Sequence, residues 1–178
     1  MSLLSLVRLP LALFFIYYLY CRNLGLALFC LLLAGLSDKL DGTLARRLGM
    51  GNNLLGRILD PVADRIFMFL SFSALYFVDL KIEVSSWIIL ITVGQDIVLA
   101  PLGAYVFVKK KKALGSALGK FVTFYQYLFL IIVLSVNVWN FNIGDVNIYL
   151  LLLEMLLVLF NLSSAVHHVL LWLHELRN

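Results

Sequence analysis

A chain of 178 residues that is 63% hydrophobic and only 13% charged has too much apolar surface for a soluble domain to hide. The net charge of +4 is modest, and nucleic acid is not an expected partner. Apolar stretches close to the bilayer-crossing length of about 20 residues recur along the whole sequence. The expected fold is an all-α integral membrane protein of six transmembrane helices in one domain, residues 1–178, with no linker or low-complexity segment dividing it.

The expected spans are residues 6–20, 24–40, 56–77, 86–108, 121–138 and 148–173. The apolar run of the first follows Arg8 and ends in Tyr-Leu-Tyr-Cys-Arg without a small-x-small cleavage site, so it reads as a retained helix rather than a signal peptide. Cys21 and Cys30 have no CxxC or metal spacing and read as small apolar residues inside helices. Arg8, Arg46-Arg47, Lys109 to Lys112, Lys120 and Arg177 fall to one side of the predicted ladder, and only Arg22 and Lys81 to the other. The basic-side rule therefore places both termini in the cytoplasm. Tyr17, Tyr18, Tyr20, Tyr76, Trp87, Trp139 and Tyr149 fall at the opposite ends of the spans, as an interfacial belt does. The four-lysine run serves as a topology signal with affinity for anionic lipid, or draws anionic substrates towards a site.

Four aspartates interrupt this apolar pattern. Asp38 and Asp41 are three apart, and Asp60 and Asp64 are four apart, so each pair shares one helix face. Acidic groups at a membrane edge are costly and rarely accidental. If the two helices are neighbours, the four carboxylates converge, and hard divalent cations such as Mg²⁺ or Mn²⁺ are the natural counter-charge. Two cations a few ångströms apart can neutralise a diphosphate and orient an attacking hydroxyl. Gly42 leaves room for a nucleotide to approach the backbone, Arg46 can fork onto phosphate, and Gly56 lets the second and third helices approach closely.

The pattern Asp38-x-x-Asp41-Gly42-x-x-Ala45-Arg46, then Gly56-x-x-x-Asp60-x-x-x-Asp64, resembles the signature of the CDP-alcohol phosphatidyltransferases. Ser5-Leu6-Val7-Arg8 resembles that family's entry into its first helix. Ser116-x-x-Gly119-Lys120-x-x-Thr123-x-x-Gln126 is similar to a stretch shared by its glycerophosphate and cardiolipin branches. Asp60-Pro61-Val62-Ala63-Asp64-Arg65 looks most like the branch whose acceptor is glycerol 3-phosphate.

The resemblance implies a metal-dependent enzyme of phospholipid biosynthesis in the cell membrane, with its active site on the cytoplasmic side. It would move a phosphatidyl group from CDP-diacylglycerol to the hydroxyl of glycerol 3-phosphate, giving phosphatidylglycerophosphate and releasing CMP. Asp38, Asp41, Asp60 and Asp64 would hold two divalent cations, Mg²⁺ or Mn²⁺. Asp41, Gly42, Ala45, Arg46 and Gly56 would bind the CDP group, and Asp64 would also take the acceptor's proton. A metal-bound carboxylate is ordinarily a poor base, so that last role rests on the resemblance alone. Relatives are commonly homodimers. Phosphatidylglycerol, inositol phosphate and serine are the alternative acceptors.

For an acceptor bearing a phosphate, Arg8, Arg57, Arg65 and Lys120 are the candidate ligands; Arg57 and Arg65 could equally balance the aspartates. Two departures stand out. Nine residues separate Arg46 from Gly56 where relatives usually have eight, and Gln95-Asp96 stands where relatives often carry an arginine beside an acid. Two other classes use intramembrane acids. Membrane prenyltransferases have two acidic motifs far apart, whereas these four lie in one helix–loop–helix. An ion transporter needs ligands along an outward route, and the outer loops here carry few.

The last span carries Asn147, Glu154, Asn161, His168 and Glu175 at seven-residue intervals, a stripe drifting only about 20° per repeat. Glu154 and Asn161 are expected to face protein or water, either bonding to Gln95, Asp96 or Gln126 or walling the acceptor cavity. His167 and His174 read as interfacial.

Overall fold

The computed structural model describes the backbone of residues 3–47, 54–110, 117–139 and 143–177 within helices, with the connections at 21–23 and 77–85, and the side chains of 8–37, 64–99, 118–139 and 147–174. The described residues form six helices: α1 (Leu3–Tyr20), α2 (Leu24–Arg47), α3 (Leu54–Tyr76), α4 (Ser86–Lys110), α5 (Ala117–Trp139) and α6 (Ile143–Arg177). Each coincides with one expected span. α2 and α4 run beyond the apolar stretch, so the whole of Asp38 to Arg46 is helical. Two segments, Leu118–Trp139 and Asn147–His174, are each long and apolar enough to cross a bilayer.

The α1–α2 turn has a specific cause. Arg22 sits in the left-handed region at φ 56°. Its N–H donates to the Leu19 carbonyl at 3.0 Å, and the Asn23 N–H donates to the Tyr18 carbonyl at 2.9 Å. This is the Schellman arrangement that satisfies the last carbonyls of a helix. Asn23 then starts α2: its carbonyl accepts from Ala27 at 3.1 Å and its side-chain oxygen from Leu26 N–H at 3.3 Å. Cys21 is therefore exposed in a turn, not inside a helix as expected, because the cap ends α1 one residue before it; Cys30 does lie buried in α2.

The principal packing pairs close a ring. α1 packs on α2 and α3, α2 on α5, α5 on α6, α6 on α4, and α4 on α3. Reading round the ring, α4 stands opposite α2. Aromatic side chains reach across its interior. Phe67 of α3 lies 6.2 Å from Phe15 of α1 and stacks on Tyr127 of α5 at 5.7 Å, and Phe72 stacks on Phe129 at 6.2 Å. Phe15, Phe67 and Phe72 are wholly buried. This column begins three residues beyond Asp64 along α3, about 4.5 Å at 1.5 Å per residue, and fills the ring towards the ends that carry the exposed Tyr17, Tyr20, Tyr76 and Trp139.

The exterior is apolar and the interior partly polar. Leu151, Leu152, Leu156, Leu159, Leu162, Leu170 and Leu173 of α6 are exposed, whereas Glu154, Asn161, Ser164 and His168 on the same helix are buried. A water-soluble fold has the reverse order. In hydrocarbon, where apolar contact with lipid costs nothing, packing and inter-helix hydrogen bonds hold such a bundle together.

Candidate active site in the polar half of the ring

α3 lies between α1 and α4 in the ring, and two consecutive α3 residues bind those neighbours. Asp64 accepts a hydrogen bond from the Arg8 guanidinium of α1, and Arg65 donates to the Asp96 carboxylate of α4. Successive helical residues differ by about 100° in direction, which is how adjacent side chains serve opposite neighbours. The result is an alternating row, Arg8, Asp64, Arg65, Asp96. Arg8 is fully buried and Asp64 is 23% exposed; Arg65 is 35% exposed and Asp96 only 7%. A buried guanidinium is tolerable only when paired, so Arg8 requires Asp64 as much as it orients it.

A neutral network continues the row. Thr92 lies one turn before Asp96 on α4. The Asn161 amide of α6 donates to its hydroxyl at 3.3 Å, and Gln126 of α5 donates to the Asn161 oxygen at 3.0 Å. Three helices are thus tied by side chains in their buried faces, as expected for Asn161 and Gln126.

At the far end of the bundle, Glu154 accepts from the Ser85 N–H at 2.9 Å and from its hydroxyl at 2.8 Å. Ser85 is the residue before α4, and its carbonyl accepts from Ile88 at 3.0 Å. Glu154 therefore supplies an anion to the start of α4, a partner the sequence did not suggest. Asn137 of α5 grips the same connection, accepting from Ile82 N–H at 2.9 Å and donating to the Ile82 carbonyl at 3.1 Å.

Of the expected site residues, Asp64, Arg8 and Arg65 come together in the polar row, while Lys120 is exposed near the start of α5. Asp38, Asp41, Gly42, Ala45 and Arg46 are helical in α2, and Gly56, Arg57 and Asp60 in α3. Their side chains lie outside the described residues, as does that of Glu175. The donor chemistry of the four aspartates, hard carboxylate oxygen without thiol or imidazole, fits divalent cations, and the carboxylate of Asp64 is lodged between helices rather than spread on the surface.

Comparison with known proteins gives the arrangement its context. The family model described as CDP-alcohol phosphatidyltransferase matches residues 2–173. The chain belongs to the CDP-alcohol phosphatidyltransferase family. It is 35% identical to the CDP-diacylglycerol–glycerol-3-phosphate 3-phosphatidyltransferase of Aquifex aeolicus over 141 residues, 79% of this chain and 78% of that one. It is also 37% identical over 79 residues to human cardiolipin synthase (CMP-forming), 44% of this chain and 26% of that one. A cardiolipin synthase of Streptomyces coelicolor is 54% identical over 44 residues, 25% of this chain and 20% of that one. This phosphatidyltransferase is therefore a membrane-bound transferase of phospholipid synthesis. Its family uses divalent metal ions and CDP-alcohol substrates.

Proposed function

We propose that this phosphatidyltransferase makes phosphatidylglycerophosphate from CDP-diacylglycerol and glycerol 3-phosphate. The observation that carries the reading is the position of Asp64, the last aspartate of the signature, in a row with two arginines inside the ring. The similarity to the Aquifex glycerol-3-phosphate enzyme, which runs over most of both chains, supports this acceptor over the others.

In this reading Asp38, Asp41, Asp60 and Asp64 hold two divalent cations, Mg²⁺ or Mn²⁺, and Asp41, Gly42, Ala45, Arg46 and Gly56 hold the CDP group. When bound, such ions would supply positive charge to offset that of the diphosphate. An oxygen of the acceptor hydroxyl forms a bond to the phosphatidyl phosphorus, the bond from that phosphorus to the CMP oxygen breaks, and Asp64 takes the hydroxyl proton. Arg8 keeps the Asp64 carboxylate oriented through this step. Arg65, with Arg57 and Lys120, attracts the acceptor's phosphate, and Arg8 adds its charge from behind Asp64. The aromatic column of Phe15, Phe67 and Tyr127 closes the ring beyond Asp64, so water-soluble substrates enter from the Asp64 end. The chain acts as a single domain with six spans, both termini and the site on the cytoplasmic side, and as a homodimer.

The test is CMP release by the purified protein in sealed vesicles containing CDP-diacylglycerol, with glycerol 3-phosphate, phosphatidylglycerol, inositol phosphate or serine added. Release with glycerol 3-phosphate, seen when the Asp64 end faces the acceptor and absent when it faces away, is the expected result. Release with phosphatidylglycerol instead would move the protein to the cardiolipin synthase reaction. Release from the opposite vesicle orientation would reverse the topology.

A further inference from the structure

Two polar side chains among the described residues, Ser71 and Gln95, carry a buried oxygen that the networks described above do not account for, and Gln95 is the one beside the charged row. Gln95 lies on α4 between Thr92 and Asp96, in the same helical turn as both. Thr92 and Asp96 are satisfied by Asn161 and Arg65. The side-chain oxygen of Gln95 is sealed from solvent and accepts no hydrogen bond among the described residues. α4 runs for 25 residues and Gln95 is its tenth, so it lies about 14 Å along the helix, well inside an apolar bundle. A carbonyl oxygen left unpaired there is expensive. An apolar residue of the same length would remove that cost, so the group calls for a ligand that donates.

The ring order indicates which ligand. The CDP-binding stretch of the signature is on α2, and α4 stands opposite α2. The group facing Gln95 is therefore the acceptor alcohol rather than the nucleotide. The neighbouring charge agrees. Asp96 holds one edge of the Arg65 guanidinium, and a guanidinium has five N–H donors, of which a carboxylate takes at most two. Arg65, a third exposed, keeps donors for a phosphate, while Gln95 offers a neutral oxygen for an O–H. A cation beside a neutral acceptor suits a phosphorylated polyol.

Resting on the proposed function, we infer that Gln95 is an acceptor-binding residue: its side-chain oxygen accepts a hydrogen bond from the hydroxyl that is not attacked, on a phosphorylated polyol whose phosphate is drawn by Arg65. The residue thereby sets specificity. An acceptor with the nucleophilic hydroxyl and the phosphate but no second hydroxyl leaves the Gln95 oxygen buried and unpaired.

The experiment compares glycerol 3-phosphate with 3-hydroxypropyl phosphate, which lacks the central hydroxyl, in the wild type and in Gln95→Met. Wild type is expected to favour glycerol 3-phosphate roughly tenfold in kcat/KM, about the worth of one buried hydrogen bond. Gln95→Met should raise the KM for glycerol 3-phosphate by about the same factor and erase the preference. The KM for CDP-diacylglycerol should stay unchanged, and the Tm should hold or rise, because the unpaired oxygen is gone. A purely structural role predicts the opposite, a lower Tm with both KM values shifted together, and that result overturns the inference. A preference that survives in Gln95→Met does so too. Should the variant not fold, equal use of the two acceptors by wild type is the overturning result. Failure of wild type to use either phosphate, with CMP released to another alcohol, overturns the proposed function itself and is told apart by that release.

Discussion

At the scale of single residues, the two arginine–aspartate pairs differ in what they can contribute. Arg8 is fully buried and its pairing with Asp64 is obligatory, whereas Arg65 remains a third exposed and is held by a carboxylate that is nearly inaccessible. The second pair is better suited to aim a guanidinium at a ligand than to stabilise the bundle. Asp96→Asn is expected to cost on the order of 1 kcal/mol, because water screens a partly exposed partner. It should raise the acceptor KM several-fold and leave that of CDP-diacylglycerol alone. Asp96→Glu, which restores the charge, should recover most of the loss; steady-state kinetics with each substrate varied in turn checks both. Single residues were only partly legible in the sequence. The aspartates announce themselves because charge inside apolar runs is rare. The partnership of Arg65 with Asp96 does not, because it depends on α3 lying next to α4, which local spacing does not encode. Thr92 left no signal, since a lone threonine in an apolar helix most often bonds its own backbone.

At the scale of helices and their connections, the ends are set by side chains that sit far away in sequence. The residue before α4, Ser85, is held by Glu154, 69 positions later, and the loop before it by Asn137, 55 positions after Ile82. Glu154→Leu removes both hydrogen bonds at Ser85 and leaves its N–H and hydroxyl without their acceptor, at a cost of about 1–3 kcal/mol. The expected outcome is a lower Tm in detergent and unchanged KM values for both substrates, since the aromatic column separates Ser85 from Asp64. A rise in acceptor KM alone would instead make Glu154 a wall of the acceptor cavity. The sequence made the helices legible through their length, and the seven-residue stripe of α6 through its periodicity, because a helix that must present one polar face in lipid repeats near 3.5 residues. It left the partner of Glu154 hidden. Gln95, Asp96 and Gln126 were the plausible candidates by depth, yet the open end of α4 offered a backbone N–H as well as a hydroxyl.

At the scale of the whole molecule, six helices form a ring with two unlike halves. Aromatic side chains from α1, α3 and α5 fill one half. Charged and amide side chains from α1, α3, α4, α5 and α6 line the other. α2 contributes the remaining piece, the helical stretch carrying Asp38, Asp41 and Arg46. This division suits a reaction that joins a water-soluble alcohol to a lipid-borne phosphate. In the proposed reaction the polar half would admit the ionic reactants, the closed half would keep the membrane sealed, and the leucine-rich exterior would leave the acyl chains in the bilayer. Ring order was the feature least available from sequence. Hydropathy counts helices, but which helix neighbours which follows from side-chain complementarity between residues 31 to 69 positions apart.

The account stands or falls on metal-dependent chemistry at Asp64. The decisive measurement is phosphatidyl transfer from labelled CDP-diacylglycerol to glycerol 3-phosphate by the wild type and by Asp64→Asn, each titrated with Mg²⁺ and Mn²⁺ after chelation. The account predicts that chelation abolishes transfer by the wild type and either ion restores it. It predicts that Asp64→Asn, folded as judged by Tm and helix content, is slower by about 10²–10⁴-fold at saturating metal. Transfer that persists in the chelated wild type, or at full rate in Asp64→Asn, would contradict it.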